Sequence, residues 1–154
     1  MTAFHLPPKL PDSTFADFRH SHVCLRVPDY EAAKSWLVDK LDFRVVHEWP
    51  EPMLGVQMVY LAAADDNQTI LEIVGGNDPE ASPGAEADFV ATFGFQGLHH
   101  VCFTVLSVDR TVEHLKARNV KVVAEPFNVE AIARRIAFFA DPWGNLFELE
   151  EILT

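Results

Sequence analysis

The sequence predicts an α+β fold made of two tandem β-α-β-β-β modules, whose mixed sheet curves around one cleft. Three observations lead there. The segment HVCLRV at His22–Val27 returns as HVCFTV at His100–Val105. Each copy precedes an apolar strand bearing one glutamate, Glu72 in TILEIV and Glu148 in NLFELEE. The separations are nearly equal, 50 residues from His22 to Glu72 and 48 from His100 to Glu148. A pattern that repeats over about 75–80 residues points to a pseudo-twofold domain.

Each element follows from local chemistry. Residues 1–19, with Pro7, Pro8 and Pro11, read as an irregular N-terminal arm. His20–Val27 alternates as a strand and ends at Pro28-Asp29. Asp29 is placed to cap a helix over Tyr30–Lys40, where Ala33, Trp36, Leu37 and Leu41 fall on one stripe. Phe43–Trp49 is a strand, and Gly55–Ala64 and Gln68–Val74 are two more about the turn Asp65-Asp66-Asn67. Module one thus covers residues 20–76, and the Gly- and Pro-rich stretch 77–97 links it to module two at 98–154. The order then returns. His99–Leu106 is a strand, and Ser107 or Asp109 caps a helix to about Arg118, with Asn119 suited to the left-handed position that ends it. Val120–Ala124 is a strand, Phe127–Ala140 holds most of another hairpin half, and Leu146–Ile152 is the last strand after the turn Asp141–Asn145.

Composition narrows the function. The chain has 154 residues, 49% of them hydrophobic, which suffices for one well-buried domain. No apolar run approaches the ~20 residues that cross a bilayer. The first residues lack the charged start and apolar stretch of a secretory signal. Two cysteines, Cys24 and Cys102, imply no disulfide framework, so a cytoplasmic location is expected. A net charge of −11 argues against nucleic acid, since phosphate binding needs a basic patch. The expected partner is a small-molecule substrate.

Strand alternation sorts the candidate side chains by face. His22, Cys24 and Arg26 share one face of the first strand, and Val23, Leu25 and Val27 the other. In the second module His100, Cys102 and Thr104 stand together, opposite Val101, Phe103 and Val105. Glu72 and Glu148 each sit between apolar neighbours that would pack on the helices. Four polar side chains would then converge on a shared concavity, and buried carboxylates there call for a cation. Nitrogen and oxygen donors suit a divalent metal such as Ni, Zn, Co, Mn or Fe. Glu150 shares the face of Glu148 and competes with it for the same role. Cys24 and Cys102 read either as soft ligands or, more simply, as small apolar filler. Arg26 reads equally as a surface residue or as a guanidinium for a substrate carboxylate. His99 points away from His100 and reads as structural, and His20 as a surface or rim residue. Phe89, Phe93 and Phe95 read by default as core residues, or else as a cover for the cavity mouth or a subunit partner.

The segments HVCLRV, LEI, HHVCFTV and DPWGNLFELEE resemble the vicinal oxygen chelate superfamily, which includes glyoxalase I, methylmalonyl-CoA epimerase and extradiol dioxygenases. The resemblance runs from His20 to Leu153 and implies the glyoxalase/bleomycin resistance/dioxygenase fold. It implies one divalent metal per site, held by His22, Glu72, His100 and Glu148, and favours Glu148 over Glu150. It implies a glyoxalase-like lyase or isomerase in which the metal chelates vicinal oxygens of the substrate and stabilises an enediolate. Glu148 is then the catalytic base, with Glu72 the second candidate, and Arg26 matches a substrate-binding arginine of glyoxalase I. Gly76 and Gln96 depart from that enzyme, which has asparagine and arginine there to hold glutathione. Two other functions remain open: a ring-cleaving dioxygenase with iron on His22, His100 and Glu148, or a metal-free antibiotic-binding protein. Members of this fold complete the cleft within one chain or across two, and a homodimer is expected.

Overall fold

The computed structural model describes residues 6–81, 89–94 and 96–153, so Phe95 lies outside the described residues. In module one, β1 (Val23–Val27) leads into α1 (Tyr30–Leu41), followed by β2 (Arg44–Glu51), β3 (Val56–Ala63) and β4 (Asp66–Gly75). After a short 3-10 turn at Val90–Gly94, module two has β5 (Val101–Thr104), α2 (Val108–Ala117), β6 (Lys121–Val129), β7 (Arg134–Ala140) and β8 (Leu146–Ile152). The predicted β-α-β-β-β order is present in both halves, with small shifts of the ends. The turn between β3 and β4 falls at Ala64-Asp65 rather than at Asp65–Asn67, because Asp66 already pairs with Ala63. Both strands expected to start at His20 and His99 start later, so His22 and His100 each stand one residue before a strand.

Each module makes its own four-stranded sheet, in the orders β1-β4-β3-β2 and β5-β8-β7-β6. The outer pair is parallel and the remaining pairs are antiparallel. The sequence led us to expect two tandem modules in a curved mixed sheet. That two-module mixed-strand fold is what forms, its eight strands divided into two four-stranded sheets with no backbone pairing between β1 and β5.

The helices are set by their caps. The Asp29 side chain accepts from the Ala32 amide at 3.0 Å, and Ser107, not Asp109, takes that part for α2. Asp42 and Asn119 hold left-handed conformations just past the helix ends, with φ of 56° and 59°. Both helices bury their apolar stripe on one side of the sheets. Ala33 and Leu37 of α1 and Val112 and Leu115 of α2 belong to one buried cluster with Leu25, Val27, Leu71, Ile73, Phe139, Phe147 and Leu149. Phe139, Phe147 and Phe103 stack at 5.0 and 6.0 Å, and Phe103 reaches Phe43 of module one at 6.1 Å. Arg118 also crosses, to the Asp42 carboxylate at 2.8 Å and the Lys40 carbonyl at 2.9 Å. Side chains therefore join the modules. A cleft of about 1020 Å³ runs along this seam, lined by residues such as His20, Leu41, Phe43, His114 and Arg118. Among the described residues no helix is long and apolar enough to cross a membrane.

Candidate functional site

With the helices on one side, the opposite face of each sheet carries the polar set. The register is the same in both halves: Cys24 is the partner of Glu72, and Cys102 the partner of Glu148. Each histidine, two residues upstream, reaches across to its own glutamate. His22 Nε2 lies 3.3 Å from Glu72 Oε2, and His100 Nε2 lies 2.8 Å from Glu148 Oε2. Both carboxylates are largely removed from water, with side-chain exposures of 9% and 15%. A carboxylate so placed is costly without a cation or donors close by.

The four side chains expected to share one point form two pairs instead, one per module. Among the described residues no three His, Cys, Asp or Glu side chains gather as one coordination group. The reason is the seam: each pair is fixed within its own sheet, and no backbone pairing sets one sheet against the other. The seam cleft is a different place, since only His100 of the four borders it.

The donor chemistry nonetheless fits a divalent metal. Each imidazole aims Nε2 at a carboxylate and engages Nδ1 elsewhere, the usual division of labour for a ligating histidine. His22 Nδ1 meets Ser21 Oγ at 3.1 Å, and His100 Nδ1 meets His99 Nδ1 at 2.8 Å. The cysteines are solvent-exposed neighbours of the pairs, not buried filler. Desolvation by the sheet, then the nearby Glu72 carboxylate, pushes the Cys24 thiol up to about 11. Cys102 is pushed up to about 12, first by desolvation and then by the charge of Glu148.

Other expectations resolve residue by residue. Glu150 accepts from Thr104 Oγ1 at 2.8 Å and pairs with Arg134 at 3.3 Å, which leaves Glu148 as the partner of His100. Arg26 turns its guanidinium onto the backbone, donating to the carbonyls of Val27, Gly76 and, at 3.0 Å, Val74. Only the Nε edge is left for a ligand, less than a free guanidinium offers. His99 is not remote from the site: it contacts His100 directly and accepts or donates at Thr92 Oγ1, 2.9 Å away. Phe89 lies 4.5 Å from Phe138, on the same face as Glu148, and Phe93 lies 4.6 Å from His99. The 3-10 turn therefore covers part of module two's polar face. In module one the equivalent face is aromatic, with His22, Tyr60, Trp49 and His47 in successive ring contact.

Sequence reading missed Thr92, although a signal was present. Thr-Phe stands eight residues before the histidine in both halves, as Thr14-Phe15 before His22 and Thr92-Phe93 before His100.

Two β-α-β-β-β modules, each bearing a His–Glu pair on its helix-free face, define a class of paired-module proteins. The sequence matches the family model for the Glyoxalase/Bleomycin resistance protein/Dioxygenase superfamily over residues 19–149, and the chain belongs to that superfamily. Among curated proteins it is similar to the mitochondrial methylmalonyl-CoA epimerase of Bos taurus, 28% identical over 135 residues, covering 86% of this chain and 74% of that protein. It is also similar to the uncharacterized protein YwkD of Bacillus subtilis, 30% identical over 132 residues, covering 84% of this chain and 94% of that one. Among solved structures, SMU.1112c superposes with a TM-score of 0.73 at 26% identity, covering 88% of this chain and 99% of that chain.

Proposed function

We propose that the chain is a metal-dependent isomerase that removes and returns a proton at the carbon next to an acyl carbonyl. The observation that carries this reading is the twofold His–Glu pairing, His22 with Glu72 and His100 with Glu148, in matched register. These four side chains would hold one divalent metal, Ni, Zn, Co, Mn or Fe, once the two pairs face one point, within one chain or across a homodimer. A bound cation of this kind supplies Lewis-acid polarisation of substrate oxygens.

The chain's own residues do the rest. Inverting a stereocentre requires a proton to leave from one face and return on the other, and two equivalent carboxylates, one per module, suit that task. Glu148 is assigned as the base and Glu72 as the second acid–base group. The aromatic face of Tyr60, Trp49 and His47 seats the acyl portion and excludes water beside Glu72. Arg26, through its free Nε edge, would meet a substrate carboxylate. The names of the curated relatives favour an α-substituted acyl thioester over a glutathione hemithioacetal. The departures at Gly76 and Gln96 agree with that choice. A ring-cleaving dioxygenase would use one carboxylate and leave the other spare, whereas here both carboxylates are paired alike.

The test is metal analysis of purified protein after reconstitution, followed by wash-out of the α-proton of a methylmalonyl thioester in deuterated water. We expect about one metal per chain and metal-dependent exchange, lost by a factor of at least about 10² in Glu148→Gln. Full exchange by Glu148→Gln would overturn the base assignment. Protein that binds no metal under any condition would overturn the reading as a whole.

A further inference from the structure

We infer that Thr92 and His99 are positioning residues that fix which nitrogen of His100 carries its proton, and thereby keep Nε2 free to bind a cation. The inference rests on the reading of His100 as a metal ligand, but its evidence is a proton count along one hydrogen-bonded chain. Thr92 Oγ1 donates its single proton to the Phe89 carbonyl at 2.6 Å. With that proton spent, the hydroxyl can only accept from His99 Nε2, 2.9 Å away. His99 Nε2 therefore carries a hydrogen, and Nδ1 of the neutral ring is an acceptor. The group facing it at 2.8 Å is His100 Nδ1, which must then be the donor. His100 is left with a lone pair on Nε2, and that nitrogen faces Glu148 Oε2 at 2.8 Å. Two electron pairs at this separation repel unless a cation, a proton or a metal, lies between them.

The chain of bonds starts in the 3-10 turn between the modules, at Val90–Gly94, and ends on the His100–Glu148 pair. Ring packing holds its members: Phe93 against His99 at 4.6 Å, His99 against His100 at 5.1 Å, and His100 against Phe138 at 5.5 Å. Module one has the same outline without the same constraint. Ser21 occupies the place of His99 and meets His22 Nδ1, but a serine hydroxyl can donate or accept there. The two halves thus differ in how strictly they set their histidine.

The experiment is long-range proton–nitrogen correlation NMR on the metal-free full chain with 15N-labelled histidine, at about pH 8. Zn²⁺ affinity is measured on the same samples by competition with a chelator. In the wild type, His100 is expected to show a protonated Nδ1 and His99 a protonated Nε2. Thr92→Val should remove that preference at both rings and weaken Zn²⁺ by about 10–100-fold. Thr92→Ser should restore both, and the His22 signals should stay unchanged throughout as an internal control. An unprotonated Nδ1 on His100 in the wild type would overturn the inference, as would unchanged ring signals and Zn²⁺ affinity in Thr92→Val. Wild-type protein that binds no Zn²⁺ would defeat the metal reading, while the nitrogen signals would still decide the inference.

Discussion

At the scale of single residues, Glu48 shows how much of the molecule's electrostatics is local. Its Oε2 accepts from Tyr30 Oη at 2.6 Å and from Lys34 Nζ at 2.7 Å, and the Lys34 ammonium also lies 4.9 Å from the Tyr30 ring centroid. Lys34 first, then Tyr30, hold the Glu48 carboxyl below the usual glutamate range. A folded-state value below the unfolded one contributes stability above the unfolded pKa, and the contribution is lost as pH falls through the lowered value. Glu48 is half exposed, so solvent screens the effect to no more than about 0.5 kcal/mol. Thermal melts of Glu48→Gln and wild type should therefore differ slightly at about pH 7, with the gap closing below about pH 4. The paired histidines and glutamates were legible in the sequence because they recur in matched positions. The binding of Arg26 to the Val74 and Gly76 carbonyls was not, because those acceptors arrive from 48 and 50 residues away.

At the scale of elements, the contact of α1 with β4 depends on one missing side chain. Gly75 ends β4 where the first residue of α1, Tyr30, crosses it. A Cβ at Gly75 would stand 2.5 Å from Tyr30 Cα and Cβ, closer than any real packing allows. The helix cannot give way cheaply, because Asp29 caps it and Tyr30, Ala33 and Leu37 are buried. Gly75→Ala is thus expected to destabilise the fold by about 1–3 kcal/mol, read as a lower denaturant midpoint with an unchanged slope. Helix starts and the last strand could be read from caps and alternation, which are nearest-neighbour chemistry. The need for glycine at position 75 could not, since the clash comes from a helix that the sequence places far upstream.

At the scale of the whole molecule, the tandem repeat gave the architecture, and the seam between its halves stayed hidden. A repeat specifies what each half builds, but nothing in it says that β1 and β5 remain unpaired while Phe43, Phe103, Arg118 and Asp42 carry the contact. Phe103 is only partly buried and borders the seam cleft, so Phe103→Ala should cost about 1–3 kcal/mol, below the range for a fully buried phenylalanine, as read by the same denaturation. The Thr-Phe pair eight residues ahead of each histidine extends the internal match upstream of both first strands. In the second half this pair sits in the short turn ahead of β5, where Thr92 Oγ1 meets His99 Nε2 at 2.9 Å and the Phe93 ring packs on His99 at 4.6 Å. The first copy has left its equivalent, Thr14-Phe15, in water, with Phe15 exposed. A gene fragment meant to encode the second copy faithfully has to open ahead of Phe89. One opening at His99 would leave out Thr92 and strip His99 of the hydroxyl it meets.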